Sequence, residues 1–297
     1  MADFATPVTT PEARPTSNLT SFARTRPLTL FFLFAYAWSC SFWLLIPRVF
    51  LHGPLGFNES ADLIIFLTGA FGPMMAALTT RWLSHRDLRI CHLWTGTGSL
   101  LTGLLVGVTA FFVVAVLAPT LALLHAPLRA VHWSALLQWS TYAVNYSTFL
   151  GGPIPEEPGW RGFALPKLQA RYGPYAASII LALFWAGWHL PLFWIKGWSS
   201  ATPWQFLLIL IGISFLFTAA ANLSRFNVLV AIVLHASFNT SSGVVGALLS
   251  NVPQRDHPTL IYTFTVFATG SLLGAAILKF SGISASRAAR TDVLTTD

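Results

Sequence analysis

Eight stretches of eighteen to twenty-six residues run through this sequence with almost no charge: 28–46, 63–80, 99–124, 132–152, 174–195, 204–222, 227–250 and 260–280. A bilayer core of about 30 Å is crossed by roughly 20 apolar residues rising ~1.5 Å each in a helix. Inside lipid the backbone must satisfy its own polar groups, which a helix does within one segment. The chain is therefore expected to be an all-α integral membrane protein, a polytopic bundle of about eight transmembrane helices. The fourth stretch, with Gln138 and Asn145, is the least apolar of the eight.

Composition agrees. Charged residues make up 9% of the 297 and hydrophobic ones 55%, against roughly 25% charged in a soluble domain. That excludes an ordinary soluble enzyme, a disordered chain and a collagen-like fibre. Two cysteines, Cys40 and Cys91, make neither a disulfide framework nor a structural zinc cluster.

The net charge of +7 reads as topology. With the N-terminus in the cytoplasm, 13 of the 17 basic residues fall on inside segments: Arg14, Arg24, Arg26, Arg81, Arg86, Arg89, Arg161, Lys167, Arg171, Arg225, Lys279, Arg287 and Arg290. Arg48, Arg129, Lys196 and Arg255 fall outside. This asymmetry places both termini in the cytoplasm, and the plasma membrane is the expected location in a bacterium. No segment outside the spans is long enough to present a nucleic-acid-binding patch, so the partners expected are the bilayer and what lies in it. Residues 1–27, rich in Pro, Thr, Ser and Arg, read as a disordered cytoplasmic tail. Residues 28–282 read as one helical unit, with its motifs in 150–245, and residues 283–297 as a C-terminal tail.

Ionisable groups at membrane depth are costly and mark function. Glu156 and Glu157 are adjacent, between prolines, where the fourth stretch reaches the cytoplasmic boundary. Arg161 lies one helical turn beyond Glu157 and reaches back to it. His189 lies deep in the fifth stretch, two residues before Pro191. His235 and Asn239 lie four apart in the seventh, on one helix face. Taken singly, each histidine also suits a plain interhelical hydrogen bond. Asn145 fits the same cavity, whereas Asn222 and Asn227, around the turn at Arg225, read as structural. The tryptophans read as an interfacial belt. Gly69-Ala-Phe-Gly-Pro73 reads as a packing and kink device.

In order, Glu156-Glu157-x-x-x-Arg161, the stretch from Phe184 to His189, and His235-x-x-x-Asn239 resemble the three motifs of the CPBP intramembrane proteases, also called the CAAX prenyl endopeptidase-like or abortive-infection family. The resemblance implies an eight-helix-type fold and an endopeptidase, of glutamate or metallo type. It also implies a membrane-embedded or lipid-anchored peptide or protein substrate, prenyl-type substrates included, and carries over neither its identity nor the oligomeric state.

Peptide hydrolysis needs an activated water, a polarised carbonyl and a proton for the leaving amine. Glu156 suits the general base. His189 suits holding the water. His235 and Asn239 suit donors to the oxyanion, with Glu157 and Arg161 in support. Glu156, His189 and His235 are also a donor set that zinc accepts, although the His-Glu-x-x-His helix is missing, and the metal-independent route is favoured. The other readings are a proton-coupled transporter and a catalytically idle immunity or scaffold protein.

Depth sets a condition. Counted from Pro174, His189 lies about 22 Å in, and counted from Asn227, His235 lies about 12 Å in. The fifth helix is therefore expected to begin below Pro174 and protrude into the cytoplasm, bringing the two rings within about 10 Å, without which no contact at the ~3 Å of catalysis is reachable.

Overall fold

The computed structural model describes residues 18–51, 53, 55, 60–90, 97–138, 141, 152–195, 198–199 and 201–281. Ten α-helices are described: α1 (Asn18–Thr25), α2 (Pro27–Cys40), α3 (Ser60–Ala70), α4 (Gly72–His85), α5 (Thr97–Leu124), α6 (Pro153–Glu157), α7 (Leu165–His189), α8 (Pro203–Leu223), α9 (Val228–Leu248) and α10 (Thr259–Phe280). Among the described residues, six helical segments are long and apolar enough to cross a membrane, or seven if the pair 61–70 and 72–85, bent by 44°, is one span. That bent pair is the expected second span. The expected fourth span falls largely outside the described residues, as does Asn145; its described start, Trp133–Gln138, is a 3₁₀ helix.

Side chains are apolar on both sides of the helices. Leu105, Leu272 and Phe280 are 71%, 71% and 81% exposed, an outer surface that only lipid can cover at low cost. Inward-facing glycines bring helices close: a Cβ on Gly159 would collide with the Pro73 carbonyl oxygen. The Gly-Pro end of the sequence device on α4 therefore lies directly against the Glu-Glu segment.

Cross-contacts fix the helix directions. α2 is antiparallel to α4, because Arg24 donates to the Ser84 carbonyl (2.7 Å) and Ser39 to that of Gly69 (2.7 Å). α2 runs parallel to α7, through Tyr36 to the Phe184 carbonyl and Trp188 to Ser39. α7 is antiparallel to α8, through Ser178 with Thr218 and Asn222 with Gln169. Gly212 meets Val266 and Gly270, and Gly274 meets Phe215, so α8 and α10 run parallel. One end of the bundle thereby gathers Arg24, Arg26, Arg81, Arg86, Arg89, Lys167, Arg171, Arg225 and Lys279, and the other, among the described residues, has Arg48, Arg129 and Arg255.

One expectation changes at the chain's boundary and another holds. Residues 18–25, read as tail, form helix α1, held to α4 by the Arg24 bond. The fifth helix does begin before Pro174, at Leu165, and breaks at Gly173 (φ 76°), a left-handed conformation open to glycine. Asn227 caps α9 by accepting from Leu229 N–H, and Asn222 donates to Gln169 and to the Thr218 carbonyl, as their structural reading expected.

Candidate active site

The run of prolines and glycines around the glutamates prevents a single regular helix. Pro153 opens α6 where its missing N–H costs nothing. After Glu157 the chain widens into a π-helical turn, Pro158–Ala164, a form common at functional sites. This path aims successive side chains at different partners. Trp160, four residues after Glu156, donates its indole N–H to Glu156 Oε2 (3.2 Å). Arg161, four after Glu157, donates to Glu157 Oε1 (2.9 Å).

Glu156 is 3% exposed. Its Oε2 accepts a second, shorter bond from the Trp185 indole (2.7 Å), so one oxygen is fixed by two ring N–H groups. The other, Oε1, lies in the space a side chain at residue 152 would fill: a Cβ on Gly152 would collide with it. Glycine at 152 is what lets the carboxylate turn this way.

Glu157 is fully buried and bonded twice at Oε1, by Arg161 and by His235 Nδ1 (2.7 Å). An ionised carboxylate only accepts, so the ring proton on that side belongs to His235 Nδ1. The Arg161 guanidinium is sandwiched 4.0 Å from the rings of Trp185 and Phe217, an apolar slot that offsets the cost of burying its charge. The charge pattern alone makes Arg161 an inside-segment residue and sets Glu156 and Glu157 near the cytoplasmic boundary. The structure adds that all three side chains are interior, 0–3% exposed, because helices close over them.

His189 Nδ1 donates to the Trp185 carbonyl (2.7 Å), which leaves Nε2 as an acceptor in the neutral ring. The ring lies between Trp198 (centroids 5.7 Å apart) and Trp188 (4.8 Å). Both histidines also face the same indole, with His189 at 5.9 Å and His235 at 5.3 Å from the Trp185 ring. Glu156, His189, His235 and Asn239 line one cavity of about 620 Å³, a size typical of ligand sites.

Among the described residues, no group of three or more His, Cys, Asp or Glu side chains is placed to hold an ion. Hydrogen bonds engage Glu156 at Oε2, His189 at Nδ1 and His235 at Nδ1, so each of the three candidate zinc ligands is held by one atom, and a ring bonded at Nδ1 is oriented to use Nε2.

The tryptophans are the part that sequence reasoning missed. Trp43, Trp160, Trp185 and Trp188 are 0–2% exposed, not an interfacial belt. The signal was spacing: Trp160 is one turn after Glu156, and Trp185 one turn before His189, so each shares a helix face with a site residue.

The fold and the site define a class: a polytopic helical membrane protein with a buried Glu-Glu-Arg segment and two histidines around one cavity. Residues 137–241, which hold all six candidate residues, match the family model for Type II CAAX prenyl endopeptidase Rce1-like proteins. A CAAX prenyl protease 2 of Methanococcus maripaludis is 32% identical over 92 residues, 28% of this chain and 34% of that protein. The match thus spans about a third of the relative's length. Both findings support the CPBP family.

Proposed function

We propose that the chain is an intramembrane endopeptidase of the CAAX-processing type, acting on peptide bonds of membrane-embedded or lipid-anchored proteins, prenyl-type substrates included. The observation that carries this reading is the Glu156 carboxylate: buried, fixed at one oxygen by two indoles, and sharing a cavity with His189, His235 and Asn239.

In this reading Glu156 takes a proton from a water held by His189 Nε2, and the hydroxide attacks the scissile carbonyl carbon. The oxyanion is met by Asn239 Nδ2–H and by His235 Nε2–H. Since His235 Nδ1–H is engaged by Glu157, the ring offers Nε2–H only in its doubly protonated form. As the C–N bond breaks, Glu156 returns its proton to the leaving amine. Glu157 is the positioning residue for His235, and Arg161 balances its charge. The route needs only these side chains, and zinc enters no step. Both termini are cytoplasmic in this proposal.

The test is hydrolysis of lipid-anchored peptides in proteoliposomes by Glu156→Gln, His189→Ala, His235→Ala and Asn239→Ala variants. Loss of about 10²–10⁴-fold for the base, with folding intact, is expected. Cleavage by Glu156→Gln at the wild-type rate would overturn the assignment. Proton flux sensitive to the same substitutions, without cleavage, would favour the transporter reading.

A further inference from the structure

Beyond Glu156 and the two histidines the cavity continues between α9 and α10, along residues that the proposed reaction leaves unused. Asn239, Ser242, Gly243 and Gly246 line it from α9, and Tyr262 and Thr263 from α10. The last three α9 positions follow Asn239 by three, four and seven residues, so all four share one helix face. By the helical rise, Ser242 lies about 4.5 Å and Gly246 about 10 Å along the axis from Asn239. An extended peptide advances about 3.3 Å per residue, so these are steps of roughly one and three residues from a carbonyl held at Asn239.

Two features of this wall favour a peptide main chain. Ser242 Oγ and Tyr262 Oη lie 3.2 Å apart. Whichever donates, the other keeps its own O–H, and both keep lone pairs. The pair therefore offers a donor and acceptors to a third group. Thr263 is 0% exposed, and its hydroxyl has no partner among the described residues. Thr68, Thr240 and Thr269 instead each bond back to the carbonyl one turn earlier. Buried hydroxyls are normally satisfied. A hydrocarbon chain satisfies none of these groups, whereas the N–H and C=O of a peptide satisfy both kinds.

Gly246 bears on width. A Cβ there would meet nothing within 4 Å among the described residues, whereas at Gly212, Gly270 and Gly274 it would collide with the backbone of a neighbouring helix. Those three glycines serve packing between α8 and α10; Gly246 leaves room in the cavity.

We propose that Ser242, Tyr262 and Thr263 bind the main chain of the peptide beside its scissile bond, and that Gly246 selects the size of the residue about three places away. This deepens the endopeptidase reading and rests on it. The hydroxyls bind ground state and transition state alike, which raises affinity more than rate.

The test uses the full chain in proteoliposomes with a lipid-anchored fluorogenic peptide. Tyr262→Phe, Ser242→Ala and Thr263→Val each remove one hydroxyl with little change of shape. Each should raise KM about 2–10-fold, as one neutral hydrogen bond would, with a smaller change in kcat. N-methylating the peptide amides one at a time near the scissile bond should weaken binding to the wild type at one position. At that position Tyr262→Phe or Ser242→Ala should lose much less, a coupling that misfolding alone does not produce. Gly246→Leu should lower kcat/KM about tenfold or more for Phe relative to Ala at the third residue on one side of the bond. Unchanged KM in the hydroxyl variants, or N-methyl effects identical in wild type and variants, overturns the inference while peptide cleavage keeps the endopeptidase in place. Discrimination by Gly246→Leu according to the length of the lipid chain, not side-chain size, overturns it too and gives this part of the cavity to the anchor. Should the wild type cleave no peptide, binding read by fluorescence anisotropy decides. Tyr262-dependent binding keeps the peptide site and removes the endopeptidase reading, and no binding removes both.

Discussion

The Trp185 indole N–H donates to Glu156 Oε2 at 2.7 Å, while the carbonyl of the same residue takes the Nδ1–H of His189. One residue on α7 therefore orients both the carboxylate and a histidine of the cavity, and its ring also packs against His235 and the Arg161 guanidinium. Replacing Trp185 by Phe keeps a ring and removes the N–H. A hydrogen bond to a charged group is worth about 1.5–3 kcal/mol, so kcat should fall about 10–100-fold with the melting temperature little changed. The check is kinetics in proteoliposomes beside a thermal melt; an unchanged kcat would show that the indole bond is not used.

Gly152 and Glu156 define a second expectation. Alanine at 152 would place a Cβ on Glu156 Oε1 and rotate the carboxylate away. Displacements of ~1 Å cost about 10²-fold in rate, so Gly152→Ala should be nearly inactive yet folded. Gly159→Ala differs: its Cβ meets the backbone of Pro73, and the expected loss is in stability, about 1–3 kcal/mol from overpacking. Parallel melts and rate assays of the two variants test this division.

The Glu157–Arg161 pair should behave as a unit. Removing one partner leaves a buried charge alone, at about 3–5 kcal/mol. Glu157→Ala and Arg161→Ala should each destabilise strongly, while Glu157→Gln/Arg161→Met should recover part of the loss and remain inactive for want of an oriented His235. A double-mutant cycle in stability is the measurement, and simple additivity would contradict the pairing.

Outside the spans, Asp87 is the informative carboxylate. The Arg89 backbone N–H, then the Arg89 and Arg81 guanidinium groups, hold its acid well below the usual range. Its protons therefore bind the unfolded state more readily. The stability it contributes is full above the unfolded pKa, about 4, and is lost as pH falls through the lower folded value. The gap in melting temperature between wild type and Asp87→Asn should be widest near neutrality and shrink below about pH 4, and a gap that grew on acidification would refute this.

Metal content gives the last expectation. On the metal-independent route proposed above, purified protein should contain substoichiometric zinc and keep its activity through chelator treatment. Stoichiometric zinc, with activity lost on stripping and regained on addition, would reverse the mechanism proposed above.

Much of this protein was determined by its sequence alone, because lipid is a severe solvent. The long charge-poor stretches had to be helices, and ionisable groups among them had to be few and purposeful. Glu156, Glu157, Arg161, His189, His235 and Asn239 could therefore be picked out before any fold was known, and the Arg161–Glu157 bond followed from helical spacing. What only the tertiary structure decided was depth and pairing. Spacing along one helix does not tell how far the next is shifted, so Glu157 facing His235 and the burial of Arg161 could not be read in advance. Nor could the roles of Trp160 and Trp185, since an indole at a span end looks the same whether it meets lipid headgroups or a carboxylate.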